Sequence, residues 1–264
     1  MFWSSWHNHT GDEPRFSYCA APDLTPDVYR RALRTGPWHA FALTEHAFAL
    51  AVPEDAGPWP NQWYAHPERW WAHQAFREDK TARFLDRMAG VCDGERIFAG
   101  LEVEVAYDGS LCMDSWLWPY LDVVIGSVHC LPGAPDARFD AYIAQLHALL
   151  AHPIDILGHP FRELAKSGPV PVEIIDETLR RVKSLGVAIE INAHVPCAQD
   201  AEVLARACAQ GVRVAFGLDA HTRTELARHR YFEKVLTASG VEPTQVRLFR
   251  PERRAPRPRV PASR

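Results

Sequence analysis

The sequence predicts one α/β barrel built from seven mainly parallel strands, and three observations predict it. Short, nearly continuous apolar runs recur between segments of helical period, the pattern of βα units whose strands are covered on both faces. Ligand-type side chains stand just past the ends of six of these runs: His7-Asn8-His9, Glu45-His46, Glu102, His129, His159 and Asp219-Ala220-His221. At the carboxyl ends of successive buried strands, such side chains converge on one mouth of a barrel. The length of 264 residues fits one large barrel or two small domains, and neither an internal repeat nor a credible second domain is visible.

The strand-like runs, in order, are residues 2–6, 40–44, 97–101, 121–126, 154–158, 187–192 and 212–218. Thr25-Pro26-Asp27 offers an N-cap, a first-turn proline and an early carboxylate for a helix that Gly36 would end. Residues 103–113, with Asp108-Gly109-Ser110 inside, read as a hairpin appended to the third strand. Pro171 opens a helix with an apolar stripe at Val172, Ile175, Leu179 and Val182, ending at Gly186. Residues 200–210 form another helix, stopped by Gly211. The longest insertion, 47–96, starts with a Pro-rich stretch at 53–60 and continues as a helix from Pro67 to about Met88. It carries Trp59, Trp63, Trp70 and Trp71, either as a lid or aromatic wall over the mouth or as anchors of a helix on the barrel. Residues 1–249 thus read as a single barrel domain, and 250–264 as a Pro/Arg-rich disordered tail.

Composition narrows the function. With 47% apolar and 23% charged residues the chain reads as a globular protein. No run approaches the ~18 apolar residues of a membrane helix, and the N-terminus lacks the pattern of a secretory signal. The six cysteines form no Cys-x-x-Cys pair, which suits reduced thiols in a cytoplasm. The net charge of −4 combines +5 on residues 250–264 with −9 on residues 1–249. The acidic body disfavours a nucleic-acid duplex as partner; the tail is a solvated terminus or a polyanion contact. Neither a Gly-rich phosphate loop nor a Gly-x-Ser-x-Gly elbow is present, against nucleotide-driven and serine-hydrolase chemistry. Cys130 beside His129 invites a nucleophile reading but is better explained as a small strand-end residue.

A lone histidine after a strand is more often a structural residue than a ligand; the set carries the argument. Imidazoles and carboxylates without thiolate pairs suit a cluster of Zn, Mn or Fe.

These residues resemble the PHP (polymerase and histidinol phosphatase) family of metal-dependent phosphoesterases. The matching motifs are His7-Asn8-His9-Thr10, Leu43-Thr44-Glu45-His46, Gly100-Leu101-Glu102, Ile125-Gly126-Ser127-Val128-His129, Ile156-Leu157-Gly158-His159-Pro160, Glu190-Ile191-Asn192 and Gly217-Leu218-Asp219-Ala220-His221. They run in family order from residue 7 to 221, about four fifths of the chain. The stretch from Leu121 to His129, with Gly100-Leu101-Glu102-Val103, is most similar to the histidinol-phosphatase branch.

The resemblance implies a distorted seven-stranded, TIM-like β/α barrel and two or three divalent ions. His7, His9, Glu102 and Asp219 would hold one ion, and Glu102 would bridge to a second on His129 and His159. His46 and His221 would belong to a third. The family usually supplies another histidine shortly after its first motif, and its counterpart here is read as Ala21, which leaves the third site short of a ligand. Ser5 and Glu45 replace acids that support the ligands.

Two ions roughly 3.5–4 Å apart can activate a water and clamp a phosphoryl group. Arg162 is the first candidate for the phosphate and Lys166 the second, a surface or helix-start arginine being the alternative for Arg162. His194 is a candidate to protonate the leaving oxygen or contact substrate, against a structural histidine. The implied function is hydrolysis of a small phosphorylated metabolite. The alternatives are a phosphodiesterase or 3′-exonuclease on short nucleic acid, and a non-catalytic metal-binding regulatory barrel. Which alcohol leaves depends on loop shape, chiefly in 47–96.

Overall fold

The computed structural model describes residues 3–55, 63–133 and 137–252. Seven strands lie side by side in chain order, every neighbouring pair parallel: β1 (Trp3–Ser5), β2 (Trp38–His46), β3 (Ile97–Glu104), β4 (Val123–Ser127), β5 (Ile156–Gly158), β6 (Ala188–Asn192) and β7 (Val214–Gly217). Each lies on an expected run; Phe2 and Trp59 fall outside the described residues. The sheet curls until its ends meet. Trp6 N donates to Phe216 O at 2.9 Å, Asp219 N donates to His7 O at 2.7 Å, and Asn8 bridges Ala220. The result is a nearly closed barrel.

The crossovers carry α1 (Pro26–Thr35) after β1, α2 (Ala47–Ala51) and α3 (Gln74–Val91) after β2, and α4 (Arg138–Leu150) after β4. Then come α5 (Arg162–Ala165) and α6 (Val172–Leu185) after β5, α7 (Asp200–Gln210) after β6, and α8 (His229–Ser239) after β7. Gly186 and Gly211 end α6 and α7 with φ of 68° and 69°, the left-handed C-cap that glycine adopts without a Cβ clash. Thr25 does stand at the N-cap of α1, but its side chain makes no capping hydrogen bond, and Gly36 ends that helix without a left-handed turn.

Strand alternation separates two apolar layers. Phe41, Leu43, Val124, Leu157, Ile189, Ile191 and Val214 face outward into the core beneath the helices. Ala40, Ala42, Val123, Ile125, Ile156, Ala188 and Ala215 fill the barrel interior with Trp6, Phe98 and Phe249. The interior is narrow, so alanines dominate it. Followed two residues at a time toward the mouth, the inward rows turn polar. Ala42 leads to Thr44 and His46, Phe98 to Gly100 and Glu102, Ala188 to Glu190 and Asn192, and Ala215 to Gly217 and Asp219. One alternation thus sets both the apolar floor and the polar mouth.

Two expected elements differ. The helix read from Pro67 to about Met88 is broken into a 3-10 turn (Pro67–Trp71) and α3. The break at Ala72-His73 lets Trp70 be buried beside Trp63, Tyr64, Phe48, Ala106 and Cys112, while Phe84, Leu85 and Met88 of α3 join the main core. The described tryptophans at 63 and 70 therefore act as anchors, in a satellite core that borders the mouth at Cys130. The hairpin of 103–113 shrinks to one antiparallel bridge, Val105 to Leu111, because β3 itself continues to Glu104. Among the described residues no helix is long and apolar enough to cross a membrane, and none of the six cysteines is in a disulfide. Of the tail read as disordered, residues 253–264 lie outside the described part.

Candidate metal centre

All eight candidate ligands lie at the carboxyl ends of the strands. His7 and His9 follow β1 on an extended segment, where a spacing of two puts both rings on one side. Asn8 between them is pinned to the barrel wall, its Nδ2 donating to Ala42 O at 2.8 Å and to Ser5 O at 3.0 Å. His46 ends the inward row of β2, and Glu102 stands in that of β3 one step before its end at Glu104; His129, His159 and Asp219 stand one or two residues past β4, β5 and β7. His159 and Asp219 have φ of 22° and 49°, a conformation that side chains other than glycine rarely adopt and that costs about 1–3 kcal/mol.

Glu102 is the hub. Its Oε2 lies 3.3 Å from His7 Nε2 and 3.8 Å from His9 Nε2, and Asp219 Oδ1 closes that group at 3.7 Å and 3.0 Å from the same two nitrogens. Its Oε1 faces the other way, 3.2 Å from His129 Nε2 and 3.1 Å from His159 Nε2, which are 3.2 Å apart. Zinc–ligand bonds of about 2.0–2.1 Å in a tetrahedron place neighbouring N and O donors about 3.4 Å apart. The observed separations scatter around that edge. Buried His7 Nε2 has no well-aligned hydrogen-bond partner among the described residues, and a cation displacing its proton would satisfy it. The donor set fits divalent ions.

Outer residues fix the rings. His7 Nδ1 donates to Glu190 Oε1 at 2.9 Å, and Glu190 Oε2 accepts His159 N at 2.6 Å. His129 Nδ1 lies 3.2 Å from Glu104 Oε1, and His221 Nδ1 donates to Asp219 O at 2.7 Å. Glu45 accepts from Thr10 Oγ1 and Ser17 Oγ, both at 2.6 Å, and Ser17 Oγ reaches His9 Nδ1 at 3.1 Å. Ser5 Oγ donates to Asn8 Oδ1 at 2.9 Å. Glu45 thus reaches His9 through Ser17, and Ser5 acts on Asn8 between the two candidate ligands. With one nitrogen committed outward, His7 and His129 turn Nε2 inward.

The electrostatics show how tightly opposite charges are gathered. Burial disfavours charge on His7, yet Glu190, Asp219 and Glu102 hold its pKa well above the usual histidine value. Burial also opposes ionised Glu102 and Asp219, but the surrounding imidazoles hold both well below the usual carboxylate range. His9, buried and stacked 4.3 Å from the His46 ring, is pushed well below its ordinary value by desolvation and then by His46.

The third group differs from the expectation. Ala21 donates its backbone N–H to His221 O at 2.8 Å, and its methyl carries no donor. Cys19, two residues earlier, puts Sγ 3.3 Å from His46 Nε2. Desolvation raises the Cys19 thiol, but His46 and the hydrogen bonds from His221 and His46 outweigh it and bring the pKa down to about 6. Cys130 behaves oppositely, its thiol pushed up by burial to about 11, which removes a nucleophile reading at neutral pH.

His194 joins the cluster. Its ring centroid lies 4.4 Å from that of His221, and its Nδ1 donates to Glu225 Oε1 at 2.8 Å. Glu225 also accepts His221 N at 2.6 Å and Thr222 N at 2.8 Å; burial raises its pKa, but His194 and these backbone bonds bring it to about 2. Arg162 opens α5, with Nε 3.8 Å from Glu163 Oε1, and Lys166 Nζ lies 2.6 Å from the same oxygen. Among the described residues neither side chain is hydrogen-bonded to a candidate ligand. Glu190, Glu104, Glu225 and Cys19 were not singled out as site residues from sequence; Glu190 carried a signal as part of the motif Glu190-Ile191-Asn192, and Glu104 through the two-residue strand period from Glu102.

No family model matches the chain. It is 27% identical over 158 residues to a probable phosphatase of Thermoanaerobacter sp. (strain X514), covering 56% of this chain and 62% of that protein. It is 27% identical over 154 residues to the DNA polymerase/3'-5' exonuclease PolX of Bacillus subtilis (strain 168), covering 56% of this chain and 26% of that one. The chain thus spans less than two thirds of these relatives. Among solved structures, the putative histidinol phosphatase of Listeria monocytogenes superposes with a TM-score of 0.58 at 14% identity, over 87% of this chain and 99% of that one. The histidinol phosphate phosphatase of Lactococcus lactis, solved with zinc, L-histidinol and phosphate, gives 0.51 at 18% identity, over 91% and 94%. The chain is built on the same barrel fold as these two proteins.

Proposed function

We propose that this chain is a metal-dependent phosphoesterase that hydrolyses a small phosphate monoester, similar in kind to a histidinol phosphatase. One observation carries the reading: the two oxygens of Glu102 face two separate donor groups at the spacing of metal ligands. His7, His9 and Asp219 would share one cation with Oε2, His129 and His159 a second with Oε1, and His46 and His221 would serve a third. Bound there, zinc, manganese or iron ions supply Lewis acidity, lowering the pKa of a water and neutralising phosphoryl oxygens.

The chain's own residues do the rest. Glu225 fixes His194 through Nδ1, so Nε2 is the atom left to carry a proton to the leaving oxygen. Among the described residues the Arg162 guanidinium is held by a weak, partly solvated pair with Glu163, so its fork can turn onto phosphoryl oxygens at little cost. A small substrate agrees with the Lactococcus neighbour, which was solved with L-histidinol and phosphate. The similarity to PolX favours a second reading, hydrolysis of a phosphodiester at the same cluster.

The test is phosphate release from p-nitrophenyl phosphate and from amino-alcohol, sugar and nucleotide monoesters, with bis-p-nitrophenyl phosphate as the diester. Release should vanish after chelation and return with zinc, manganese or iron. Full turnover by a demonstrably metal-free preparation would sink the proposal, and preference for the diester would favour the second reading.

A further inference from the structure

We propose that Cys19 supplies a thiolate ligand to the third cation group, beside His46 Nε2 and His221 Nε2, and that this sulfur selects zinc over manganese there. The inference rests on the metal-centre reading above and assigns a ligand to the group that Ala21 leaves short of one.

Geometry carries it. Cys19 Sγ is 3.3 Å from His46 Nε2, close to the roughly 3.6 Å that separates S and N donors on one tetrahedral zinc with bonds of about 2.3 and 2.1 Å. His46 turns its other nitrogen inward, with Nδ1 2.9 Å from Glu102 Oε2, so Nε2 points away from the hub toward the sulfur. His221 commits Nδ1 to Asp219 O at 2.7 Å, which leaves Nε2 free to face the group it forms with His46.

The sulfur is held by its neighbours on both sides. Tyr18 Oη donates to Val52 O at 2.7 Å and to Ala49 O at 3.1 Å, and Ala21 N donates to His221 O at 2.8 Å. Ser17, one residue further back, is tied to both Glu45 and His9. Cys19 lies on the loop between β1 and α1, an exposed residue whose sulfur is part-buried against His46. Ligand softness gives the selectivity. Thiolate with imidazole suits zinc or cobalt, whereas manganese favours carboxylate, carbonyl and water oxygens.

The experiment is a cobalt(II) titration of the metal-free full chain, with cobalt as a coloured stand-in for zinc. The wild type should develop a near-ultraviolet thiolate-to-cobalt charge-transfer band. Cys19→Ser and Cys19→His should lose it, and Cys130→Ser should keep it. Zinc affinity at the weakest site should fall at least about tenfold in Cys19→Ser. Cys19→His should recover it and accept manganese more readily. Circular dichroism shows whether each variant is folded.

A band that survives Cys19→Ser, or wild-type protein that binds cobalt without any band, overturns the assignment while leaving the phosphoesterase reading intact. A Cys19-dependent band in a protein that releases no phosphate from any ester keeps the ligand and removes the hydrolase reading. A chain that binds no cobalt refutes both.

Discussion

Glu190 occupies the space that a side chain on Gly217 would need. A Cβ at Gly217 would collide with Glu190 Oε1, the atom that accepts from His7 Nδ1, and would come within 2.9 Å of His7 Cβ. The glycine thus leaves room for a buried carboxylate, and that carboxylate aims a candidate ligand.

Gly217→Ala should therefore weaken the cluster without removing any ligand. Displaced Glu190 would release His7 and the His159 backbone together, weakening cation binding at Glu102 by roughly 10–100-fold. Overpacking should also cost about 1–3 kcal/mol of stability. Competition with a chelating dye and thermal melting would measure the two effects, and native zinc affinity in a folded variant would refute the positioning role of Glu190.

Glu102→Gln should damage turnover more than His221→Ala. The first removes the charge shared by two donor groups, whereas the second touches a group on the outer side of the cluster. A loss of roughly 10²-fold or more in kcat is expected for Glu102→Gln. Elemental analysis beside the kinetics should show lower metal content; two retained ions with near-native turnover would remove Glu102 as the bridge.

Arg162→Ala should lower kcat/KM by roughly 10²–10³, the scale of losing one positioned donor to a charged transition state. Metal content should not change. Lys166→Ala should cost less, since an ammonium lacks the bidentate fork. A silent Arg162→Ala with a severely impaired His194→Ala would move the phosphate to the β6 and β7 side of the mouth.

Glu225 gives the cluster a pH dependence of known sign. Its pKa in the fold is about 2 against an ordinary 4.5, so its stabilisation is complete above pH 4.5 and is lost as pH falls toward 2. Glu225→Gln should cost about 1–2 kcal/mol at pH 7, allowing for partial solvent screening around His194 and Arg228. In urea melts of the metal-free protein the gap between wild type and variant should narrow from pH 5 to pH 3. A gap that is constant with pH would mean the charge of Glu225 is not what stabilises.

The strands and their terminal ligands were legible because one rule governs both. Buried parallel strands are short apolar runs, and each run ends where side chains first meet the mouth. Glu104 was legible through the same period of two but went unread beside Glu102. Cys19 was not: the loop from Thr10 to Leu24 has no periodicity, and bonds from Tyr18 and Ala21 to distant residues decide which side chain meets His221. Nor does any local rule join His194 to Glu225 across 31 residues of chain. The break between Trp71 and Gln74 was hidden for a similar reason, since burial of Trp70 in the satellite core overrides a continuous helical pattern.

The left-handed backbone at His159 and Asp219 sets thermostability against activity at two positions. Glycine at either would relieve strain of about 1–3 kcal/mol and, in the same step, delete a donor from the cluster. A library of this chain selected by heat alone should drift toward glycine or asparagine at 159 and 219, and one selected for turnover should not. Counting substitutions at those two positions under each regime would show what the barrel gives up to hold its mouth in shape.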